Sequence, residues 1–273
     1  MAVYAISDLH LAFGVEKPMD IFGPRWHDYM GRIENEWRAS VCEADTVLIP
    51  GDISWAINLS ELESDIRFIE SLPGKKIITK GNHDYWWESI TKMNAYISGL
   101  GLTSIKLLYN NAFTVENYIV AGTRGWRAPS EDGFGLEDQK IHARELIRFE
   151  LSLQCAAKLK SQAAVYAASD VADSENTVAP DSENTVASAN TAGAPNAANI
   201  DAPRIVAMLH YPPVDQIGKD FGFIKMMQDF GVDTCIYGHL HGDSCYRAFE
   251  DEFDGINMKL VSADHLGFKP TKI

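Results

Sequence analysis

The chain has 273 residues, 46% of them hydrophobic, enough to bury one large core, or two stacked cores sharing a sheet interface, without disulfide support. Its 24 Lys and Arg against 38 Asp and Glu give a formal net charge of -14 with no basic run, so a nucleic-acid backbone meets repulsion over most of the surface and is not the expected partner. Cys42, Cys155, Cys235 and Cys245 show no CxxC pair or disulfide-like spacing, and the N-terminus has neither a basic region nor a long apolar run; free buried thiols in a cytoplasmic protein without a membrane span are expected.

Val3 to Ile6 is a short apolar run ending in Ser7-Asp8-Leu9-His10, so polar residues arrive where a buried strand reaches its carboxyl end. Trp26, Tyr29, Ile33, Trp37 and Val41, at steps of three and four, predict a helix, and Thr46 to Ile49 a strand closing on Pro50-Gly51-Asp52. Leu59 to Leu72 reads as an acidic amphipathic helix and Lys76 to Thr79 as a strand running into Gly81-Asn82-His83-Asp84. A third helix follows from about Trp86 to Ile97. Three strand-to-helix crossings imply a largely parallel sheet that binds ligands at its strand ends.

Ile105 to Leu108, Ala112 to Val115 and Tyr118 to Ala121 read as a local antiparallel meander, and Leu136 to about Lys160 as a helix. From Ser161 to Ala202 the chain is rich in Ala, Ser, Asn and Thr, and Asp173 to Ala179 recurs unchanged as Asp181 to Ala187. So few large apolar residues cannot offset ordering entropy, which predicts a disordered surface insertion at 161–202 within a single domain spanning 1–273. Arg204 to Leu209 is then a strand ending at His210, Phe223 to Phe230 a short helix, and Thr234 to Tyr237 a strand ending at Gly238-His239-Leu240-His241. The tail from Cys245 to Val261 alternates about an Asp254-Gly255 turn.

Imidazole, carboxylate and amide oxygen without thiolate suit borderline divalent ions: manganese, iron, zinc, cobalt or nickel. Asp8, His10, Asp52, Asn82, His210, His239 and His241 are too many for one ion; two ions sharing a carboxylate would use the set, an arrangement that serves displacement at phosphorus.

Asp8-x-His10, Gly51-Asp52, Gly81-Asn82-His83-Asp84, His210 and Gly238-His239-x-His241 together resemble the ordered blocks of the calcineurin-like metallophosphoesterases. The resemblance implies an α/β fold of two facing mixed β-sheets flanked by helices, a four-layer αββα sandwich. It implies that Asp8, His10 and His241 hold one metal, that Asn82, His210 and His239 hold the second, and that Asp52 bridges them. The implied reaction is hydrolysis of a phosphomonoester or phosphodiester, a nucleotide-type diester being the sharper expectation. A metal-bridging hydroxide attacks while His83 acts as general acid, with Asp84 as a candidate to tune it. A small phosphorylated substrate is expected.

One block departs from the family pattern. Many members continue Gly-Asp-x-x-Asp-Arg, whereas Gly51-Asp52-Ile53-Ser54-Trp55-Ala56 lacks both the second Asp and the Arg. Arg124 and Arg127, after a predicted strand, are candidates to bind phosphate in place of that Arg. Trp55, Trp86, Trp87 and Trp126 lie close to site blocks, as an aromatic wall or, for most of them, as core packing. His27, His142 and His265 belong to no block and are expected to be structural or exposed, with His265 able to line the cleft.

Two other classes fit the sequence less well. A nuclease is disfavoured by the acidic surface, and a metal-binding scaffold without turnover by the presence of His83 and all seven donors.

Overall fold

Alternation along the strands sets the layering. The computed structural model describes residues 1–174 and 202–273. In chain order its elements are β1 (Val3–Ala5), α1 (Tyr29–Ser40), β2 (Thr46–Pro50), α2 (Leu59–Ser71), β3 (Lys75–Thr79), α3 (Ile90–Gly99), β4 (Ile105–Leu107), β5 (Ala112–Val115) and β6 (Tyr118–Thr123). There follow α4 (Leu136–Ser174), β7 (Arg204–Leu209), α5 (Phe223–Asp229), β8 (Val232–Tyr237), β9 (Asp251–Phe253), β10 (Ile256–Leu260) and β11 (Thr271–Lys272). They form two mixed sheets, ordered β11-β1-β2-β3-β4 and β5-β6-β7-β8-β10-β9. The inner strands are parallel and the edges β11, β5 and β9 antiparallel.

In the first sheet Tyr4, Val47, Ile49 and Ile78 pack outward against Ile33 and Trp37 of α1 and Leu62 and Ile66 of α2. Their neighbours Val3, Ala5, Leu48 and Ile77 turn into a middle layer with Val120, Val206, Met208 and Ile236 of the second sheet. The far face of that sheet, through Ile205, Ala207 and Leu209, takes Phe149 and Leu153 of α4 and Phe223 and Met227 of α5. Because side chains alternate with period two, a strand buried on both faces reads as continuous apolar sequence, and stacking two such sheets gives the four-layer αββα sandwich.

Several local expectations are corrected. β4 pairs in parallel with β3 and belongs to the first sheet, while β5 and β6 form a hairpin in the second, so no three-stranded meander exists. The chain crosses between sheets after Leu107, a change of partner that short apolar runs do not signal. Helix α3 starts only at Ile90, capped by the Ser89 hydroxyl, and leaves Trp86 and Trp87 in the preceding turn. Helix α4 continues past Lys160 to Ser174, into the stretch read as disordered. Its Ala-rich sequence has the highest intrinsic helix propensity, which needs no apolar face to express itself. The remainder of the expected insertion, 175–201, lies outside the described residues. All four cysteines are free, but only Cys235 is buried; Cys42 is exposed, and Cys155 and Cys245 are half-buried. Among the described residues, no helix is long and apolar enough to cross a membrane.

Candidate metal centre

The carboxyl ends of β1, β2, β3, β7 and β8 meet along one rim. Neighbouring strand ends are tied by backbone hydrogen bonds: the Asp8 amide donates to the Gly51 carbonyl at 3.0 Å, His10 to Asp52 at 3.0 Å, and Gly238 to His210 at 3.1 Å. Asp8, His10, Asp52 and His239 all adopt left-handed backbone conformations, with φ of 57°, 47°, 50° and 72°. Each such non-glycine conformation costs about 1–3 kcal/mol and persists only where the surroundings enforce it.

The glycines of the blocks make room for the donors. A Cβ on Gly51, itself at φ 86°, would lie 2.7 Å from the Gly81 Cα and 2.9 Å from His210 Nδ1. A Cβ on Gly81 would overlap the Asp52 carboxylate, and one on Gly238 would overlap the Asp8 carboxylate and the Ser7 hydroxyl.

The seven donors gather in two groups. In the first, His241 Nε2 lies 3.3 Å from Asp8 Oδ1 and 3.4 Å from His10 Nε2. In the second, Asn82 Oδ1 lies 2.6 Å from His210 Nε2 and 2.9 Å from His239 Nδ1. Asp52 stands between them, its Oδ2 3.7 Å from His10 Nε2 and 3.5 Å from His210 Nε2. Its other oxygen accepts the His83 amide at 2.8 Å, which holds the carboxylate between the two groups.

The chemistry of this set fits cations. Asp8, His10, Asp52 and His210 are almost completely buried. Burial, the charge of Asp8 and then that of Asp84 hold the Asp52 carboxyl well above its ordinary range. Burial lowers His210 to about 4 and His239 to about 3, leaving neutral imidazoles whose lone pairs are available to a metal. At His241, burial acts downward but hydrogen bonds to Asp264 and Asp8 outweigh it and raise the ring to about 10. The same pairing leaves Asp8 well below the carboxylate range against the effect of burial. A divalent ion would replace the His241 proton and satisfy both carboxylates. By donor-atom proximity Asp8, His10 and His241 could hold one ion, and Asp8, Asp52 and His210 could hold one as well.

The supporting shell was largely missed from sequence. Asp264 accepts His241 Nδ1 at 2.8 Å and the Gly242 amide at 2.9 Å; the Pro50 carbonyl lies 3.0 Å from His210 Nδ1. Both contacts leave Nε2 facing the cluster, as metal-binding imidazoles require. Asp264 follows β10 just as Asp8 follows β1, the same strand-end signal. Its neighbour His265 instead faces Glu250 at 3.4 Å, while His142 lies 3.1 Å from the Phe221 carbonyl in a structural contact.

His83 lies beside the cluster, its ring 5.6 Å from that of His10 and 4.6 Å from that of Trp55, and its buried Nδ1 has no hydrogen-bond partner among the described residues. Asp84 does not serve it. Its carboxylate turns under the loop and accepts the amides of Gly81 at 2.7 Å, Ile53 at 2.9 Å and Ser54 at 3.3 Å. Three orphan amides of two tight loops outcompete a neighbouring ring, so Asp84 is a loop clamp rather than a partner of His83.

The two arginines diverge. The Arg124 carbonyl accepts the amides of His210 at 3.1 Å and Tyr211 at 2.9 Å, but its guanidinium lies over Trp126 and 3.5 Å from Glu145. Arg127 pairs with Glu131 at 3.3 Å and lines a cavity of about 260 Å³ that also touches His239. Among the tryptophans Trp86 and Trp87 are core; Trp55 stacks on His10 at 4.7 Å, and Trp126 donates to Asp138 at 3.0 Å. On the His10 side a cavity of about 360 Å³ is walled by His10, His83 and His241 together with Met19, Phe22, Trp26 and Trp55.

Stacked mixed sheets between helices, with a buried Asp/His cluster at the strand ends, define a metallophosphoesterase. The calcineurin-like phosphoesterase family matches residues 1–243, and the chain belongs to that family; it is a hydrolase acting on phosphoester bonds. No protein of curated function matches the sequence. Among similar solved structures are a protein of unknown function from Aquifex aeolicus, 14% identical over 99% of this chain and 95% of that one with a TM-score of 0.46, and phosphopantetheinyl hydrolase from Mycobacterium tuberculosis, 12% identical over 100% and 95% with a TM-score of 0.45. A third, from Thermus thermophilus, is 10% identical over 88% and 81% with a TM-score of 0.49.

Proposed function

We propose that this enzyme hydrolyses a small phosphoester with two divalent cations and His83 as the acid for the departing group, and that the ester carries a flat, apolar organic group, as in a nucleotide-type diester. The observation that carries the reading is the place of Asp52 Oδ2, 3.7 Å from His10 Nε2 and 3.5 Å from His210 Nε2, between two donor groups. On that basis Asp8, His10 and His241 hold one ion, Asn82, His210 and His239 the other, and Asp52 both. Manganese, iron, zinc, cobalt and nickel suit such a nitrogen and oxygen set. Bound there, such ions supply a nucleophile from water near neutral pH and offset charge on the phosphoryl oxygens.

The remaining work falls to the chain. Asp264 and the Pro50 carbonyl hold the His241 and His210 rings in orientation. The His83 amide on Asp52 ties the acid to the bridge at fixed separation. Burial lowers His83 from the ordinary imidazole value, so the anionic ester beside it is what loads the proton that His83 then gives to the leaving oxygen. Trp55, packed against both His10 and His83, restricts the His83 ring, and the wall of Met19, Phe22 and Trp26 receives the organic group. Arg127, sharing a cavity with His239, binds a phosphoryl oxygen on exchanging its contact to Glu131.

The test is a panel of mono- and diesters assayed after chelation and separate add-back of manganese, iron, zinc, cobalt or nickel. Activity returns with at least one of these ions and favours aryl or nucleotide esters over glycerol phosphate. Failure of every ion to restore turnover overturns the metal reading, and equal rates for aryl and glycerol esters overturn the apolar wall.

A further inference from the structure

A cavity of about 340 Å³ opens between the carboxyl ends of β3 and β6 and helix α4. Neither His83 nor any of the seven clustered donors lines it. Its walls carry Lys80, Arg124, Arg144 and Arg148 against two acids, Glu88 and Glu145. In a chain of net charge -14 this is a local inversion of sign.

The two acids are already engaged. Glu145, 1% exposed, accepts Arg148 at 2.6 Å and the Thr123 hydroxyl at 2.6 Å, with Arg124 at 3.5 Å and Arg144 at 4.0 Å. Glu88 pairs with Lys92 at 3.1 Å. One buried carboxylate thus faces three guanidinium groups, and Lys80 makes no ion pair or side-chain hydrogen bond among the described residues. Two buried donors of wall residues, Trp87 Nε1 and Arg124 Nε, also lack partners among the described residues. Lys80, Arg124 and Arg148 are half-buried and Arg144 is half exposed, so four cations converge on one buried carboxylate; such an excess, together with unsatisfied buried N–H groups, is relieved when an anion enters. Guanidinium forks and an ammonium match the geometry and charge of a tetrahedral oxyanion.

We propose that this cavity is a second anion site, separate from the metal centre, that takes a phosphate-class oxyanion on Lys80, Arg124, Arg144 and Arg148. It communicates with the metal centre over two short paths, one along the chain and one through a backbone hydrogen bond. Lys80 stands two residues before Asn82, and the Arg124 carbonyl holds the His210 amide. An anion that draws Lys80 and Arg124 inward therefore bears on two donors of one group.

Calorimetric titration of the metal-loaded enzyme with orthophosphate tests the site. Two binding events are expected, one of them weakened at least tenfold in Lys80→Gln and in Arg144→Gln with metal content unchanged. Arg144 is half exposed and 4.0 Å from Glu145, so its substitution leaves the close partners of that acid in place should Lys80→Gln fail to fold. A single event in the wild type, or two unchanged events in both variants, overturns the proposal. Kinetics separate the sources of the anion. Orthophosphate inhibition of a monoester that loses its non-competitive part in the variants marks free phosphate, whereas a KM raised only for bisphosphorylated esters marks a second group on the substrate. Neither readout depends on His83 or on the identity of the leaving group.

Discussion

The two sheets bring different chemistry to the same rim. The sheet containing β1, β2 and β3 supplies every oxygen donor, Asp8, Asp52 and Asn82, and one imidazole, His10; the sheet containing β7 and β8 supplies imidazoles alone, His210, His239 and His241. Each donor group draws on both sheets: His241 reaches Asp8, and His210 and His239 reach Asn82. On the proposed assignment neither donor group is complete within one sheet, so the middle apolar layer that presses Leu48 and Ile77 toward Val206 and Ile236 also sets donor spacing. Metal affinity and sheet packing are in this sense one property.

The sharpest way to break the comparison is at the residue that serves both groups. Asp52→Asn should lower occupancy of both ions and cut turnover by about a thousandfold or more; retention of two ions by elemental analysis would sink the bridging role. His83→Asn, which changes a side chain outside the seven donors and keeps the backbone amide on Asp52, should keep both ions yet lose about 10²–10⁴ in kcat toward alkyl esters and much less toward nitrophenyl esters. Equal losses for both leaving groups would remove His83 from the acid role. Asp264→Asn should weaken the His241-containing group selectively, by about 10–100-fold in metal affinity, read by competitive chelator titration. Gly238→Ala pushes a methyl into Asp8 and should cost about 1–3 kcal/mol in chemical denaturation. Smallest of all, replacing 161–202 by a short linker should leave melting temperature and turnover nearly unchanged, since Val165 is 69% exposed and, among the described side chains, the helix face that packs on the sheet ends at Leu159; a large loss would show that the distal helix carries structural load.

Much of this arrangement was legible in the amino-acid sequence because strand ends are. An apolar run followed by Asp-x-His, Gly-Asp, Gly-Asn-His-Asp, His or Gly-His-x-His says both that the strand is buried and that its end is polar, and those runs locate β1, β2, β3, β7 and β8 in turn. What was not legible depends on where chains turn. The move from β4 in one sheet to β5 in the other leaves no mark in composition, and Asp84 looks like a partner of His83 until the loop curls its carboxylate onto Gly81, Ile53 and Ser54. Asp264 carried the same strand-end signal as Asp8, but without a neighbouring histidine in the cluster it resembled any surface Asp-His pair. Arg124 was correctly placed after a strand; which way a long side chain points from there is decided by Glu145 and Trp126, residues brought in by other elements.

The interlocking of glycines with distant carboxylates bears on how such enzymes can diverge. The space left by Gly81 is occupied by Asp52, and that left by Gly238 by Asp8, so each short block is shaped to a block elsewhere in the chain. A cassette carrying one block cannot be exchanged between homologues unless its counterpart is already compatible. Recombination within this chain should therefore be tolerated when it transfers Asp8 together with Gly238, or Asp52 together with Gly81, and penalised at crossovers that part them.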